Sequence, residues 1–394
     1  MRRLGTGDAI VIGLGSMIGA GIFASFAPAA AVAGSGLLAG LGIAAVVAYC
    51  NAMSSAWLAA RYPSSGGTYV YGRERLGPFW GYLAGWAFVV GKTASCAAMA
   101  LTVGSYVWPA RAHVIAVVAV VVLTAVNYTG VQKAAWLTRV IVAVVLGVLA
   151  VVVTVCLTGG TSTPVPTVTP GFVGIVRAAA LLFFAFAGYA RIATLGEEVR
   201  EPERTIPRAI PLALGITLVV YAAVAVAVLR TLGAGRLATS VAPLADAVRA
   251  AGLPGLAPLV TVGAAVAALG SLLALILGVS RTTLAMARDE HLPKALAAVH
   301  PRFEVPHRAE VAVGIVVAVA AAFADLRAVI GFSSFGVLVY YAIANASAWT
   351  LGRRVVPAVG LAGCVLLAAL LPLSSVVSGA VVLAAGVILY LVRT

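Results

Sequence analysis

Charged side chains are scarce in this chain. They make up 10% of its 394 residues, whereas apolar residues make up 62%. An ordinary soluble domain has about 25% charged and about 45–50% apolar residues. The mean hydropathy is +1.10, and membrane spans of about 20 residues each explain the length better than two or three soluble domains. The composition therefore excludes a cytosolic enzyme, a secreted disulfide scaffold and a nucleic-acid-binding protein.

Residues that could build a metal or catalytic centre are also few. The four cysteines lie far apart within apolar stretches and show no CxxC spacing, so neither a metal site nor a disulfide framework is indicated. We place none of the 12 acidic residues at mid-membrane, and we assign all four histidines to loops: His113, His291, His300 and His307. We therefore expect no cofactor, no metal and no enzyme. A ring of identical polar groups, as a channel needs, is not offered either.

The net charge of +14 does not indicate a nucleic-acid partner, because the basic residues never form a run of five or more. They form short clusters between apolar segments instead. Lysine is rare, with three residues against 23 arginines. Together with the many alanines and valines, this bias is typical of a GC-rich, bacterial genome.

Twelve apolar windows, cut by proline, glycine and charge clusters, predict twelve transmembrane helices. They are 8–31, 36–60, 79–108, 113–130, 134–157, 173–198, 206–230, 255–287, 309–325, 328–351, 356–371 and 373–392. Pro372 divides the last two into a hairpin, for which one long kinked helix is the alternative. Residues 158–172 are predicted as a loop, and 233–254 as a partly amphipathic connection.

The basic residues also predict the orientation, since cytoplasmic loops collect lysine and arginine. With the N-terminus inside, the inner loops and termini hold about 19 of the 26 basic residues and the outer loops about five. One missed span would move every later loop to the opposite side of the membrane and would destroy this asymmetry, so the even number of spans and the orientation support each other. We interpret the first apolar segment as a retained helix and not as a signal peptide. The sequence thus predicts an all-α polytopic protein of the cell membrane, with both termini cytoplasmic.

Two of the predicted spans contain helix breakers at corresponding positions. The first carries four glycines within nine residues, Gly13, Gly15, Gly19 and Gly21, and the sixth carries Gly188. Each glycine costs about 1 kcal/mol in a helix relative to alanine, and non-helical backbone survives in a membrane only inside protein or beside a cavity. Broken helices that each begin a five-helix set indicate an inverted-repeat transporter. Close helix packing is the alternative reading of these glycines.

The breaks also predict a ligand chemistry. We expect N–H groups at the start of each inner half-helix to bind a carboxylate, and freed C=O groups at the ends of the outer halves to bind an ammonium. An α-amino acid carries both groups a few ångströms apart. Paired breaks can therefore hold it without any ionised side chain.

Four stretches in order resemble motifs of the amino acid–polyamine–organocation (APC) transporter superfamily. The first is Gly15-Ser-Met-Ile-Gly-Ala-Gly-Ile-Phe23, and the second is Tyr62-Pro-Ser-Ser-Gly-Gly-Thr-Tyr69. The third joins Phe184-Ala-Phe-Ala-Gly188 to Glu197-Glu198 and Glu201-Pro-Glu-Arg-Thr-Ile-Pro-Arg-Ala-Ile210. The fourth joins Ser280-Arg281 to Ala285-Met-Ala-Arg-Asp289 and Leu292-Pro293.

The resemblance implies the LeuT-type fold. Residues 8–157 would form the first five-helix repeat, 173–351 the second, inverted one, and 356–392 two additional C-terminal helices. It also implies alternating access and an amino acid substrate, carried by proton coupling, by sodium-independent transport or by exchange. Residues implied to line the substrate site are Ser16, Met17, Ile18, Gly19, Ala20, Gly21, Phe184, Ala185, Phe186, Ala187 and Gly188. Phe184 matches an aromatic that closes over the substrate.

The chain departs from the family at two coupling devices. Some members carry a lysine in the fifth helix in place of a sodium ion, but residues 140–153 contain no ionisable group. Others carry a glutamate just after the sixth-helix glycine, where this chain has Tyr189 and Ala190. Neither device therefore explains how transport is coupled here.

Lys92 is the predicted coupling residue. About 21–25 Å of helix separates it from Pro78 and from Pro109, too far for easy snorkelling to the surface. An intramembrane lysine is by default functional, and we expect Lys92 to face the bundle interior, where its protonation state would be linked to the access cycle. A structural lysine that caps the carbonyls of a broken helix is the alternative.

Further candidates lie near the sixth and tenth spans. Arg191, Glu197 and Glu198 are predicted to form ion pairs at the inner gate, with a solvated loop as the alternative. Tyr340, Tyr341 and Asn345 either contribute to the pathway or bond helices to each other. We favour small to medium neutral amino acids as substrates. An amino acid exporter or a non-transporting amino acid sensor remains an open alternative on the same scaffold.

Overall fold

The structure is a computed structural model that describes residues 4–62, 66–130, 135–160, 171–193, 195 and 198–393. Its first half contains α1 (Thr6–Met17), α2 (Ala20–Ala24), α3 (Phe26–Ala33), α4 (Leu37–Arg61), α5 (Thr68–Leu76), α6 (Pro78–Val107), α7 (Ala112–Tyr128) and α8 (Ala135–Thr158). Its second half contains α9 (Phe172–Phe186), α10 (Ala190–Ala193), α11 (Pro202–Thr239), α12 (Pro243–Ala250), α13 (Ala257–Arg288), α14 (His307–Phe323), α15 (Leu326–Trp349), α16 (Val355–Leu370) and α17 (Leu373–Arg393).

The architecture is that of an all-α polytopic membrane protein, as the apolar windows predict. Ten helical segments in the described part of the chain are long and apolar enough to cross a membrane. Two shorter helices, α14 and α16, coincide with the predicted ninth and eleventh spans. Every predicted span therefore corresponds to a helix or to consecutive helices. Most of the loop predicted at 158–172 lies outside the described residues.

Local chemistry explains several helix ends. Pro78 begins α6 and Pro202 begins α11, because the first turn of a helix tolerates a residue without an N–H group. Gly77, just before α6, has a φ of 107°, which a glycine adopts without strain. Asp325 caps α15 by accepting hydrogen bonds from the backbone N–H groups of Arg327 and Ala328.

Two short helices, α5 and α12, lie outside the predicted spans, and the sequence indicates only the second of them. The amphipathic connection at 233–254 contains α12, as its pattern suggests, and α11 reaches Thr239 through a kink at Gly233. The sequence gives no comparable signal for α5. Two histidine assignments are wrong: His113 lies in the first turn of α7 and His307 begins α14.

The first and sixth predicted spans run antiparallel beside each other in the core. At one end, the Leu4 N–H donates to the Glu198 carbonyl at 3.2 Å, and the Arg200 N–H donates to the Leu4 carbonyl at 2.9 Å. At the other end, α3 packs on α9. The helices α6, α11, α13 and α15 pack around this pair. The middles of the first and sixth spans therefore meet inside the protein, away from lipid.

The last two helices are separate and pack on different neighbours. Leu371 and Pro372 divide α16 from α17. The helix α16 lies against α15, α4 and α9, whereas α17 lies against α15 and α6. Both helices therefore pack against the bundle, α16 along the first half of the sixth span and α17 along α6 and α15.

Candidate functional site

The first span is interrupted at Ile18 and Gly19, between α1 and α2. Ile18 has φ −81° and ψ 62°, and the Gly19 N–H donates to the Met17 carbonyl at 2.8 Å. These values are those of an inverse γ-turn. The last carbonyls of α1 and the first N–H groups of α2 therefore lack intrahelical partners. The break lies where the glycine cluster predicts it.

The sixth span is interrupted less sharply. The helix α9 ends at Phe186, and a 3₁₀ turn of Ala187, Gly188 and Tyr189 leads into α10. The Ala187 carbonyl accepts hydrogen bonds from the Lys92 ammonium at 3.1 Å and from the Tyr341 hydroxyl at 3.4 Å. Side chains of α6 and α15 thus satisfy a carbonyl at the break.

The two breaks are in direct backbone contact. A Cβ on Gly188 would collide with the Ser16 carbonyl oxygen and would lie 2.7 Å from the Met17 nitrogen. A Cβ on Gly21 would lie 2.6 Å from the Ala185 Cα. Close packing was the alternative explanation of these glycines. Gly21 and Gly188 therefore serve both purposes, because each lies near a break and allows the two spans to pack closely.

Tyr221 of α11 ties the two breaks together. Its hydroxyl lies 2.5 Å from the Met17 carbonyl oxygen and 2.9 Å from the Ala185 carbonyl oxygen. The ring is fully buried and packs against Phe186 with 5.1 Å between ring centroids. A hydroxyl carries one proton, so the two carbonyls share a single donor. Sequence reasoning missed this residue, because one tyrosine in an otherwise apolar window forms no pattern.

The polarity of the first break differs from the prediction. Because the two spans are antiparallel, α1 and α9 both end at the breaks with carbonyl groups, whereas α2 and α10 both begin there with N–H groups. The half of the first span that carries the N-terminus therefore presents C=O groups. The expectation that both inner half-helices present N–H groups is wrong for the first span, because a reversed chain direction reverses the helix polarity.

A cavity of about 200 Å³ lies beside the paired breaks, against α6, α13 and α15. The predicted site residues that line it are Ser16, Met17, Gly19, Ala20, Gly21, Phe184, Ala185, Ala187 and Gly188. Ile18 and Phe186 do not line it; both are buried in the surrounding core. A contiguous motif includes such residues, but a helix turns successive side chains to different sides.

Lys92 lies on the cavity wall, on the stripe of α6 formed by Phe88, Lys92, Ser95 and Met99. It is 7% exposed, so it faces the bundle interior as predicted. Lys92 also donates to the Ala187 carbonyl, as expected for a structural lysine that caps a broken helix. Ala187 itself lines the cavity. The same contact therefore agrees with the structural and with the functional interpretation of Lys92.

The two ends of the cavity differ. Arg191, Glu198 and Arg281 line the end nearest the N-terminus of the chain; Glu197 lies outside the described residues. Beyond the other end, the Tyr106 hydroxyl donates to the Phe23 carbonyl at 3.0 Å and accepts from the Leu244 N–H at 3.3 Å. The core between α2, α6 and α12 is therefore packed, whereas Glu198 and Arg281 at the charged end are exposed.

Polar side chains of α13 and α15 complete the surroundings. The Ser271 hydroxyl donates to the Gly15 carbonyl at 3.3 Å. Tyr340 lines the cavity, whereas Asn345 donates to Asn51 of α4 at 2.7 Å and bonds helices to each other. Among the described residues, His, Cys, Asp and Glu form no group of three or more that could hold a metal ion.

Outside the spans, a polar cluster connects α5 to the end of α13. The Tyr69 hydroxyl donates to the Asp289 carboxylate and lies 3.0 Å from the His291 Nδ1 atom. Arg73 pairs with Asp289 at 3.0 Å. Burial lowers the pKa of His291 and raises the pKa of Tyr69, because it disfavours the charged form of each side chain. Since Tyr69 also lines the cavity, this cluster borders its charged end.

Comparison with known proteins extends these observations. The model of a protein family described as amino acid permease matches residues 4–391 of this chain. A protein of Mycobacterium tuberculosis called an uncharacterized transporter is 72% identical, over 100% of this chain and 91% of the relative. The vacuolar cationic amino acid transporter 4 of Arabidopsis thaliana is 29% identical, over 86% of this chain and 61% of the relative. The methylthioribose transporter of Bacillus subtilis is 26% identical, over 90% of this chain and 82% of the relative. The APC resemblance is thereby confirmed, the mycobacterial relative agrees with a bacterial origin, and the chain belongs to the amino acid permease family.

Proposed function

We propose that this protein carries amino acids across the cell membrane by alternating access, and that the cavity beside the paired breaks is the substrate site. The observation that carries the proposal is the direct contact between the first and sixth spans at Gly188 and Ser16. Contact between two broken helices places N–H and C=O groups of both signs of partial charge within one small cavity.

The substrate carboxylate is assigned to the start of α2. Gly19, Ala20 and Gly21 line the cavity, and the first N–H groups of a helix attract an anion. The substrate ammonium is assigned to the carbonyl groups at the end of α1 and to the Ala187 carbonyl, which directly follows α9. An amino acid would thus bridge the two spans, and its binding energy would depend on how they lie relative to each other.

The cavity fits an inward-facing state. With the N-terminus in the cytoplasm, the charged end of the cavity lies on the inner side, and the packing around Tyr106 and Phe23 closes the outer side. An outward-facing state would require α2 and α3 to separate from α6 and α12. The two inverted repeats, at 8–157 and 173–351, provide the symmetry for this exchange.

The substrate side chain is assigned as neutral and small to medium. The cavity volume of about 200 Å³ lies below the range of about 300–1,000 Å³ that is typical of drug-sized ligands. Phe88, Met99 and Leu275 supply apolar surface to its wall. Coupling to protons or exchange with a second amino acid would follow from Lys92 and the inner gate of Arg191, Glu197 and Glu198.

Counterflow separates a transporter from an amino acid sensor. Proteoliposomes with the purified full-length protein are loaded with an unlabelled amino acid and exposed to the labelled one. Transient accumulation of label is the expected result, whereas a sensor would bind label without accumulating it. The amino acid is chosen by thermal-shift screening of all twenty, and an imposed pH gradient then distinguishes proton coupling from exchange.

A further inference from the structure

We propose that Lys92 is a built-in competitor for the substrate. Docked on the Ala187 carbonyl, its ammonium occupies the acceptor that the ammonium of an amino acid requires, so docking of Lys92 and binding of an amino acid exclude each other. This inference rests on the proposed function and adds a specificity-determining residue to it.

The Ala187 carbonyl is already occupied by a cation. It accepts from the Lys92 ammonium at 3.1 Å, and the Tyr341 hydroxyl donates to it at 3.4 Å. An incoming ammonium at the same oxygen would meet a like charge, so it must displace Lys92.

Lys92 differs in charge from the hydroxyl donors at the breaks. Tyr221 donates to Met17 and Ala185, and Ser271 donates to Gly15, all from neutral hydroxyl groups. Lys92 is the donor that matches the substrate amine in chemical type, since both are compact, charged ammonium groups. A carbonyl that suits one of them suits the other.

The side chain of Lys92 has room to leave the Ala187 carbonyl. The lysine side chain has four rotatable bonds and lies beside open cavity space. The backbone of α6 packs tightly against α15 beside Lys92, because a Cβ on Gly91 would lie only 3.2 Å from the Cα of Gly336 in α15. The side chain of Lys92 can therefore swing away while its helix stays fixed. The cavity wall also carries Arg191, Arg281 and Glu198; the two arginines repel the displaced ammonium, and the Glu198 carboxylate attracts it.

Competition between Lys92 and the substrate amine affects which ligands bind. A ligand with a hydroxyl group in place of the amine does not compete for a cation site and binds without displacing Lys92. Removal of the lysine ammonium should therefore favour amino acids selectively over their 2-hydroxy analogues. A positioning lysine that merely holds the broken helix would change the binding of both ligand types in the same direction.

The test compares L-leucine with its 2-hydroxy analogue and L-alanine with L-lactate, by binding to the purified full-length protein. For Lys92→Met we expect the affinity for the amino acids to rise about tenfold, the scale of one charge-assisted hydrogen bond. The affinity for the hydroxy acids should fall, because their net negative charge loses the attraction of the lysine cation. Lys92→Arg keeps a cation on the cavity wall and should therefore not show this rise in amino acid affinity.

The outcomes separate the inference from the proposed function. If the parent binds an amino acid but Lys92→Met binds it equally or more weakly, or if both ligand types change alike, Lys92 is not a competitor. If neither the parent nor the variant binds an amino acid, the proposed function and this inference are both wrong. Should Lys92→Met fail to give a monodisperse protein, Lys92→Gln serves as the second neutral variant with the same expected ratio.

Discussion

Gly188 of the sixth span lies so close to the Ser16 carbonyl of the first span that a methyl group on Gly188 would collide with it. The neighbouring atom is backbone, which cannot move away without a shift of α1. The contact therefore makes the geometry of one break dependent on the geometry of the other. For a site that uses backbone groups from both spans, this dependence determines whether the site exists.

Substitution of Gly188 by alanine should abolish transport. The added methyl group must push α1 and the 3₁₀ turn apart, and separation by even a fraction of an ångström misplaces the groups that hold the substrate. Counterflow by Gly188→Ala is expected to fall at least about a hundredfold.

The matched control is Gly42→Ala, which adds the same methyl group to α4 at a position with no atom within 4 Å. This variant should transport like the parent. Full activity in Gly188→Ala would show that the contact between the breaks is not needed for transport.

Removal of the Tyr221 hydroxyl should destabilise the protein and slow transport together. Tyr221→Phe leaves the Met17 and Ala185 carbonyls without this buried donor, and an unsatisfied buried acceptor costs about 1–3 kcal/mol. The melting temperature of the detergent-solubilised protein and the rate of counterflow measure the two effects.

Tyr49→Phe makes the same chemical change on α4 at a side chain that is 47% exposed on the outside of the bundle. Its melting temperature should stay within the error of the parent. A Tyr221→Phe variant that melts at the parent's temperature would contradict a connecting role for this hydroxyl.

The sequence predicts the bundle well because the membrane imposes simple rules on it. Apolar windows locate the spans, and the glycine cluster locates the break at Gly19. What the sequence does not reveal depends on contacts between distant segments. Tyr221 acquires its role only when α11 meets both breaks, and the short α5 has no apolar window. The two inner half-helices cannot both present N–H groups to the breaks, because the first and sixth spans run in opposite directions.

The cluster at the end of α13 should make stability depend on pH. The folded protein holds His291 at a lowered pKa, whereas the unfolded chain has the ordinary value of about 6.5. The unfolded state therefore binds more protons as the pH falls through about 6.5, and the folded state loses stability on acidification. Melting temperatures between pH 8 and pH 5 should fall less steeply for His291→Gln than for the parent. Parallel curves would assign the acid sensitivity to other groups.

Access to the cavity should be restricted to one side of the membrane. Gly278 of α13 lines the cavity, and a side chain added there meets no atom within 4 Å. The four native cysteines are buried, so a cysteine introduced by Gly278→Cys can be labelled against a low background. A charged, membrane-impermeant thiol reagent should label it in inside-out vesicles and leave it unlabelled in right-side-out ones.

Gly42→Cys, on the exposed surface of α4 and away from the cavity, should resist the reagent in both, because a charged reagent does not enter lipid. Addition of a bound amino acid should protect Gly278→Cys. Equal labelling from the opposite side would mean that the charged end of the cavity faces outward, with the N-terminus outside the cell.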